Sequence, residues 1–289
     1  MNLNNSVTPL VLPSDPTQTT IDIPELEAKT FRQFEPQSDA YMAESDPIIF
    51  LNTEMQLSDP VCKYVFPDEL EPVLKSNSDS DFRIMCHNIN SIPFKFDIMQ
   101  EDFSAFFNQN FDVIGFCESK ISDDIEHFYE IQGYNFYSNN VSRTSGGIIV
   151  YARDNHVVET RPDQTIQTDD VETLFLEIVH TNRYIIIGVI YRRPHSCLTS
   201  FTQITNILLH TLQQNNNPVF MMGDLNIDLL LNSTSNPISV IISAFHSQYY
   251  YCTITHPTRV TTTSTTLLDH IWTNCLHSLV SSGIVYTHL

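Results

Sequence analysis

From Phe82 onward the chain alternates between compact apolar runs and polar turns, and the spacing of those runs predicts its elements. Phe82–Cys86 and Phe111–Cys117 are strand-length, with helical spacing over Phe96–Phe107 between them. Gly146–Tyr151, Val171–Val179 and Tyr184–Tyr191 read as three more strands, the last two joined by the polar turn His180–Arg183. Leu198–Leu212 is an amphipathic helix, Val219–Met222 a buried strand, Pro237–Phe245 a second helix and Leu267–Trp272 a late strand. Strands and helices that partly alternate, with hairpins between them, predict a mixed α/β sandwich over residues 82–289.

Residues 1–81 carry no such pattern. They are rich in Pro, Asp, Glu, Ser, Thr and Asn, and their apolar residues come in short pieces. Pro24–Ala28 and Asp68–Lys75 have the spacing for a helical turn or two; the rest reads as an acidic, mostly disordered leader.

Composition narrows the class. With 42% hydrophobic and 11% aromatic residues the chain is globular. Its longest apolar runs fall far short of the ~20 residues a membrane span needs. Met1–Pro13 lacks the basic start of a signal peptide, so the expectation is an intracellular protein, in nucleus or cytoplasm, without a membrane partner. The six cysteines are scattered with no Cys-x-x-Cys pair, which suggests neither a zinc site nor a disulfide framework. Cys86 and Cys117 lie in apolar runs and read as small core residues.

Charge points the other way from nucleic acid: 14 basic residues against 34 acidic give a formal net charge of -20. Phosphate contacts come from Lys and Arg, so a chain of this charge that acts on a phosphodiester needs a metal ion to manage the repulsion.

Four polar clusters stand at or near the ends of apolar strands, where a sheet displays functional groups. They are His87-Asn88-Ile89-Asn90, Glu118-Ser119-Lys120, Gly223-Asp224-Leu225-Asn226 and Asp269-His270. Singly, each has an ordinary explanation as a turn or cap residue, a cap carboxylate or a buried histidine. Taken in order, a strand ending in Asn, one ending in Glu, a later Gly-Asp-x-Asn and a late Leu-Asp-His-Ile resemble the endonuclease/exonuclease/phosphatase superfamily. The resemblance spans residues 82–289 and looks nearest the endonucleases of LINE-type retrotransposons. It leans there on Glu118-Ser119-Lys120, the turn Tyr191-Arg192-Arg193-Pro194, and Thr262–Asn274.

The resemblance implies a DNase I-like fold, a four-layer sandwich of two packed mixed β-sheets flanked by helices. It implies Glu118 as the magnesium ligand (manganese the alternative), with Asn88 beside it positioning metal and phosphate. Tyr191 is similar to a tyrosine on the scissile phosphate, Asp224 to the carboxylate that orients the attacking water, and Asn226 to its phosphate-binding neighbour. Asp269 resembles the carboxylate that holds a general-base histidine. Asn90 stands where some relatives carry an aspartate and LINE-type members carry Asn. These residue types suit the chemistry: magnesium keeps most of its waters and takes one or two carboxylates. Asn and Tyr donate hydrogen bonds without adding negative charge.

The family's closing Ser-Asp-His motif, expected within a few residues of Gly283–Leu289, does not occur before Leu289, and a further strand is expected after it. His288 falls ~13 Å short of that position at ~3.3 Å per residue. His270 points away from Asp269 if the strand alternates, and His87 is excluded on the same ground. The implied substrate is duplex DNA, contacted through its backbone and nicked weakly or not at all by these residues; no reverse transcriptase segment is present in the 289 residues. The competing readings are a superfamily phosphatase or RNA-cleaving enzyme, a catalytically dead interaction module, and a degraded reading frame.

Overall fold

The structure is a computed structural model that describes residues 48–53 (as backbone), 62–75, 81–102, 111–213, 217–231 and 237–286. A seven-stranded sheet contains β1 (Ile48–Thr53), β2 (Cys62–Val65), β3 (Phe82–Asn88), β4 (Val113–Cys117), β5 (Tyr134–Asn139), β6 (Ile148–Arg153) and β15 (Leu279–Val285). Its order is β2-β15-β1-β3-β4-β6-β5. A six-stranded sheet runs β11-β14-β10-β9-β8-β7. It is built from β7 (Val157–Thr160), β8 (Val171–His180), β9 (Arg183–Arg192), β10 (Val219–Asp224), β11 (Tyr251–Cys252) and β14 (Asp269–Thr273). A two-stranded hairpin, β12 (Arg259–Val260) with β13 (Thr265–Thr266), projects between β11 and β14 in the chain.

Period-two alternation divides each strand between two cores. Phe82, Ile84 and Cys86 of β3 meet Ile185, Ile187 and Val189 of β9 and Phe220 and Met222 of β10 between the sheets. There the two layers approach closely at Gly115, where an added Cβ would fall 2.6 Å from Val189. The outer face of the first sheet, with Met85, Ile114 and Ile149, packs under α1 (Pro67–Lys75) and α2 (Ile92–Asp102). The outer face of the second, with Phe175, Ile186 and Met221, packs under α3 (Leu198–Gln213) and α4 (Pro237–Ser247). The result is the four-layer α/β sandwich.

Several expectations shift. The domain does not begin at Phe82: β1 pairs with β3 on one side and β15 on the other, and α1 supplies Leu70 and Leu74 to a core. β1 stands on the short apolar run Ile48–Leu51, and its backbone completes two ladders whose partners lie farther along the chain. The leader reading over residues 1–47 lies outside the described residues, as does the turn at Pro24–Ala28. Helix α2 starts four residues before the expected Phe96, at Ile92, because Ile92 and Met99 rather than Phe94 are its buried residues; residues 103–107 are not described. The last described strand, β15, is not an edge, since β2 pairs along its other side. All six cysteines are free, and Cys86 and Cys117 are buried between the sheets. Among the described residues no helix is long and apolar enough to cross a membrane.

Candidate active site

The inward-facing rows of three strands continue past the apolar core into polar residues at one end of the sandwich. On β3 the row Phe82-Ile84-Cys86 ends in Asn88; on β9, Ile185-Ile187-Val189 ends in Tyr191; on β10, Phe220-Met222 ends in Asp224. Strand β14 begins there with Asp269, whose Cα partner is Asp224. The same alternation that buries the core therefore delivers four of the six predicted side chains to one place.

Glu118 arrives differently. Cys117 already takes the inward position at the end of β4, and Glu118 follows in the left-handed region at φ 55. Such a conformation in a non-glycine residue is sparsely populated and must be held by its surroundings. Here the Ser91 N–H donates to the Glu118 carbonyl at 2.7 Å, and Ser119 and Lys120 donate to the carbonyls of Gly147 and Gly146 at 3.1 and 3.0 Å. Gly147 has φ 91 and no room for a side chain, since a Cβ would meet Ser119 Oγ at 2.3 Å.

These residues form one hydrogen-bonded cluster. Asn88 Nδ2 donates to Glu118 Oε1 at 2.9 Å and to Asp224 Oδ2 at 2.8 Å. Asn88 Oδ1 accepts the Asn90 N–H at 3.0 Å, which fixes which way the amide faces. Asn88 thus presents its donor to the two carboxylates. The Asn88 oxygen implied as a metal ligand already accepts one hydrogen bond, from the Asn90 N–H, and keeps its second lone pair. Lys120 bridges Glu118, at 3.2 Å, and the Asn90 side-chain carbonyl.

Asp224 is buried, and the loss of solvent pushes its carboxyl above the ordinary aspartate range. Arg259, Asn88 and the Asn226 N–H pull it down again, and the charge on Glu118 pushes it up. Burial also raises the Tyr191 phenol, reinforced by the neighbouring Glu118 and Asp224 carboxylates. Tyr191 therefore stays protonated and able to donate.

Asn226 stands at φ 50, with its N–H on Asp224 Oδ1 at 2.9 Å and its side-chain Nδ2 on the Arg192 carbonyl at 2.8 Å. Its other amide hydrogen is not used in that bond. Gly223 precedes Asp224 at φ 146, and a Cβ there would sit 1.9 Å from the Ile190 carbonyl oxygen. The glycine is what lets β10 lie against β9 while turning Asp224 into the site.

Two arginines belong to the site that the sequence reading did not assign. Arg192 is buried, and its guanidinium donates to the carbonyls of Leu225, Asn226 and Ser196 at 3.3, 3.1 and 2.6 Å. Arg259 donates to Asp224 Oδ2 at 2.7 Å and lies 3.8 Å from Asp269 Oδ2. The residues were visible in the turn Tyr191–Pro194 and the segment before Leu267, but nothing local marked their partners at Asp224, Leu225 and Asn226.

His270 turns away, as alternation requires: its Nε2 meets the Leu267 carbonyl at 3.1 Å and its Nδ1 the Trp272 indole at 3.4 Å. Burial pushes its imidazole down to about 4. His87 lies on the outer face, edge-on to Phe116. Neither reaches Asp224.

Among the described residues no three His, Cys, Asp or Glu side chains converge as a ready-made metal cluster. What converges is Glu118 and Asp224 on either side of one amide, a negative, oxygen-only donor set. That set fits a hard divalent cation that keeps waters of its own.

A two-sheet α/β sandwich with Asn, Glu, Tyr and Gly-Asp-x-Asn gathered at one end of its sheets belongs to a known class of phosphoester hydrolases. The endonuclease/exonuclease/phosphatase family model matches residues 52–286, and the chain belongs to that family. Members of this superfamily hydrolyse phosphodiesters or phosphate esters, generally with divalent metals. Among solved structures, the endonuclease domain of TRAS1, a telomere-specific non-LTR retrotransposon, is similar at 10% identity with a TM-score of 0.51. That likeness covers 66% of this chain and 84% of that one. The Xenopus laevis APE2 catalytic domain is matched at 16% identity and TM-score 0.48, over 68% of this chain and 83% of that one. The human Nocturnin catalytic domain is matched at 15% and 0.47, over 67% and 82%. No curated protein sequence matches the chain.

Proposed function

We propose that this chain is a divalent-metal-dependent endonuclease domain that nicks duplex DNA, of the LINE-type retrotransposon branch. The observation that carries the reading is the Asn88 amide bridging Glu118 and Asp224 at hydrogen-bond distance, next to Tyr191 and Asn226. Glu118 would hold magnesium (manganese the alternative), which supplies charge neutralisation at the phosphate and leaving oxygen.

The chain's own groups do the rest. Asp224, held by two hydrogen bonds from Asn88 and Asn226, keeps a lone pair on Oδ1 to orient the attacking water. Tyr191, kept protonated, and the remaining amide hydrogen of Asn226 donate to phosphate oxygens as charge builds there. Asp269 sits opposite Asp224 and acts through Arg259. The wording Glu118-Ser119-Lys120 and Tyr191–Pro194 supports the branch.

Supercoiled plasmid incubated with the chain and Mg²⁺ tests this. Slow conversion to open circles, abolished by EDTA and by Glu118→Ala, is expected. Release of inorganic phosphate from monoesters without nicking would replace the reading by a phosphatase. Mg²⁺ binding with no hydrolysis of either substrate would leave a binding module.

A further inference from the structure

The cations around the cluster differ in what they are free to do. Arg192 is tied through both terminal nitrogens to three backbone carbonyls. Arg193 is tied by two nitrogens to Glu172 Oε1, a fully buried carboxylate whose other oxygen takes the Gly147 N–H at 2.6 Å. Lys120 pairs with Glu118. Arg259 alone of these pairs with Asp224 and Asp269, and its side chain, like that of Arg193, is 28% exposed.

Asp224 does not need Arg259 to stay in place, because Asn88 on Oδ2 and the Asn226 N–H on Oδ1 hold both its oxygens. Nor would the backbone have to move for Arg259 to leave. Thr258 Oγ1 accepts the N–H groups of Leu268 and Asp269 at 3.1 and 3.2 Å, and the Thr258 N–H donates to the Thr266 carbonyl at 2.9 Å. The hairpin base is thereby stitched to β14, and only the side chain can swing.

We infer that Arg259 is a phosphate-binding latch: it neutralises Asp224 and Asp269 in the substrate-free site, and transfers its guanidinium to a DNA backbone phosphate when a divalent cation takes over those charges. This rests on the nuclease reading above. A guanidinium is the suitable group because its planar fork of donors matches a carboxylate and a phosphate equally well. A divalent cation beside Glu118 and Asp224 repels Arg259 at close range, so loading one cation loosens the other. In a chain with 14 basic residues against 34 acidic, a cation stored inside the site meets the phosphate without an exposed basic surface.

The test uses the whole chain, Mg²⁺ titrated by calorimetry, and a fluorescein-labelled duplex titrated in Ca²⁺ at several salt concentrations. Arg259→Gln is expected to bind Mg²⁺ about fivefold more tightly, since a competing charge is gone. It should bind the duplex about tenfold more weakly, with a salt slope shallower by about one. Arg259→Lys, which keeps the charge and loses the fork, should keep the slope and weaken duplex binding; should the Gln variant not fold, the Lys variant carries the test. Unchanged Mg²⁺ affinity and slope in Gln, or unchanged duplex affinity in Lys, overturn the latch. If the parent chain binds neither Mg²⁺ nor duplex, the nuclease reading itself falls.

Discussion

Arg192 and Asn226 hold each other: the guanidinium of Arg192 donates to the Asn226 carbonyl at 3.1 Å, while the Asn226 amide donates back to the Arg192 carbonyl at 2.8 Å. The pair locks the end of β9 to the turn after β10, and with it the relative positions of Tyr191 and Asp224. Arg192→Met would strand three carbonyl groups that the guanidinium now satisfies. Urea unfolding should show a loss of about 3 kcal/mol, and Arg192→Lys should recover only part of it because an ammonium cannot fork. A Met variant within about 0.5 kcal/mol of the parent, the range of neutral surface changes, would show that the clamp is not needed.

Asn88→Asp replaces the bridging amide by a third carboxylate between Glu118 and Asp224. In EDTA the variant should melt below the parent, and saturating Mg²⁺ should restore more stability to it than to the parent. Ligand at 100 times its dissociation constant contributes about 2.7 kcal/mol to the folded state. Equal Mg²⁺-induced shifts in parent and variant would refute the placement of the cation beside this residue.

Gly223→Ala introduces a Cβ at a φ of 146 and 1.9 Å from a backbone oxygen. Neither partner can yield cheaply, so the cost should be several kcal/mol, on the order of 4 or more, and the variant should be largely unfolded or lost on expression. A folded Ala variant with parental melting temperature would contradict this geometry of the turn.

His270 gives the protein an acid-sensitive core. The folded state keeps the buried imidazole neutral down to about 4, whereas the unfolded chain protonates it near 6.5. The unfolded state therefore binds the extra proton between those values, and stability falls as pH drops through that window. The loss, absent above pH 6.5, reaches about 3 kcal/mol by pH 4. Denaturant titrations at a series of pH values should show a shallower slope over this window in His270→Gln. Parallel pH profiles would remove His270 as the cause.

Much of the site could be read in the chain because strand alternation carries information on the core and the site together. The rows ending in Asn88, Tyr191 and Asp224 are marked by the apolar residues two and four positions earlier. Glu118 broke that rule through a left-handed backbone, and family resemblance rather than periodicity pointed to it. The direction of the Asn88 amide depended on an Asn90 N–H two residues on, and the pairing of Arg192 with Asn226 and of Arg259 with Asp224 on contacts more than thirty residues away. Among the strands, β5 and β7 were missed because they are edges whose side chains are half-buried or exposed. β12 and β13, at two residues each, are too short to show a period.

The placement of β1 sets when this molecule can be finished. Ile48 must find Val285, a partner far along the chain, before the larger sheet is continuous. Synthesis therefore delivers β1 well before β15, and one of its two ladders stays unmade until that distant partner has emerged. Such long-range closure is slow and leaves a hydrogen-bonding template open meanwhile.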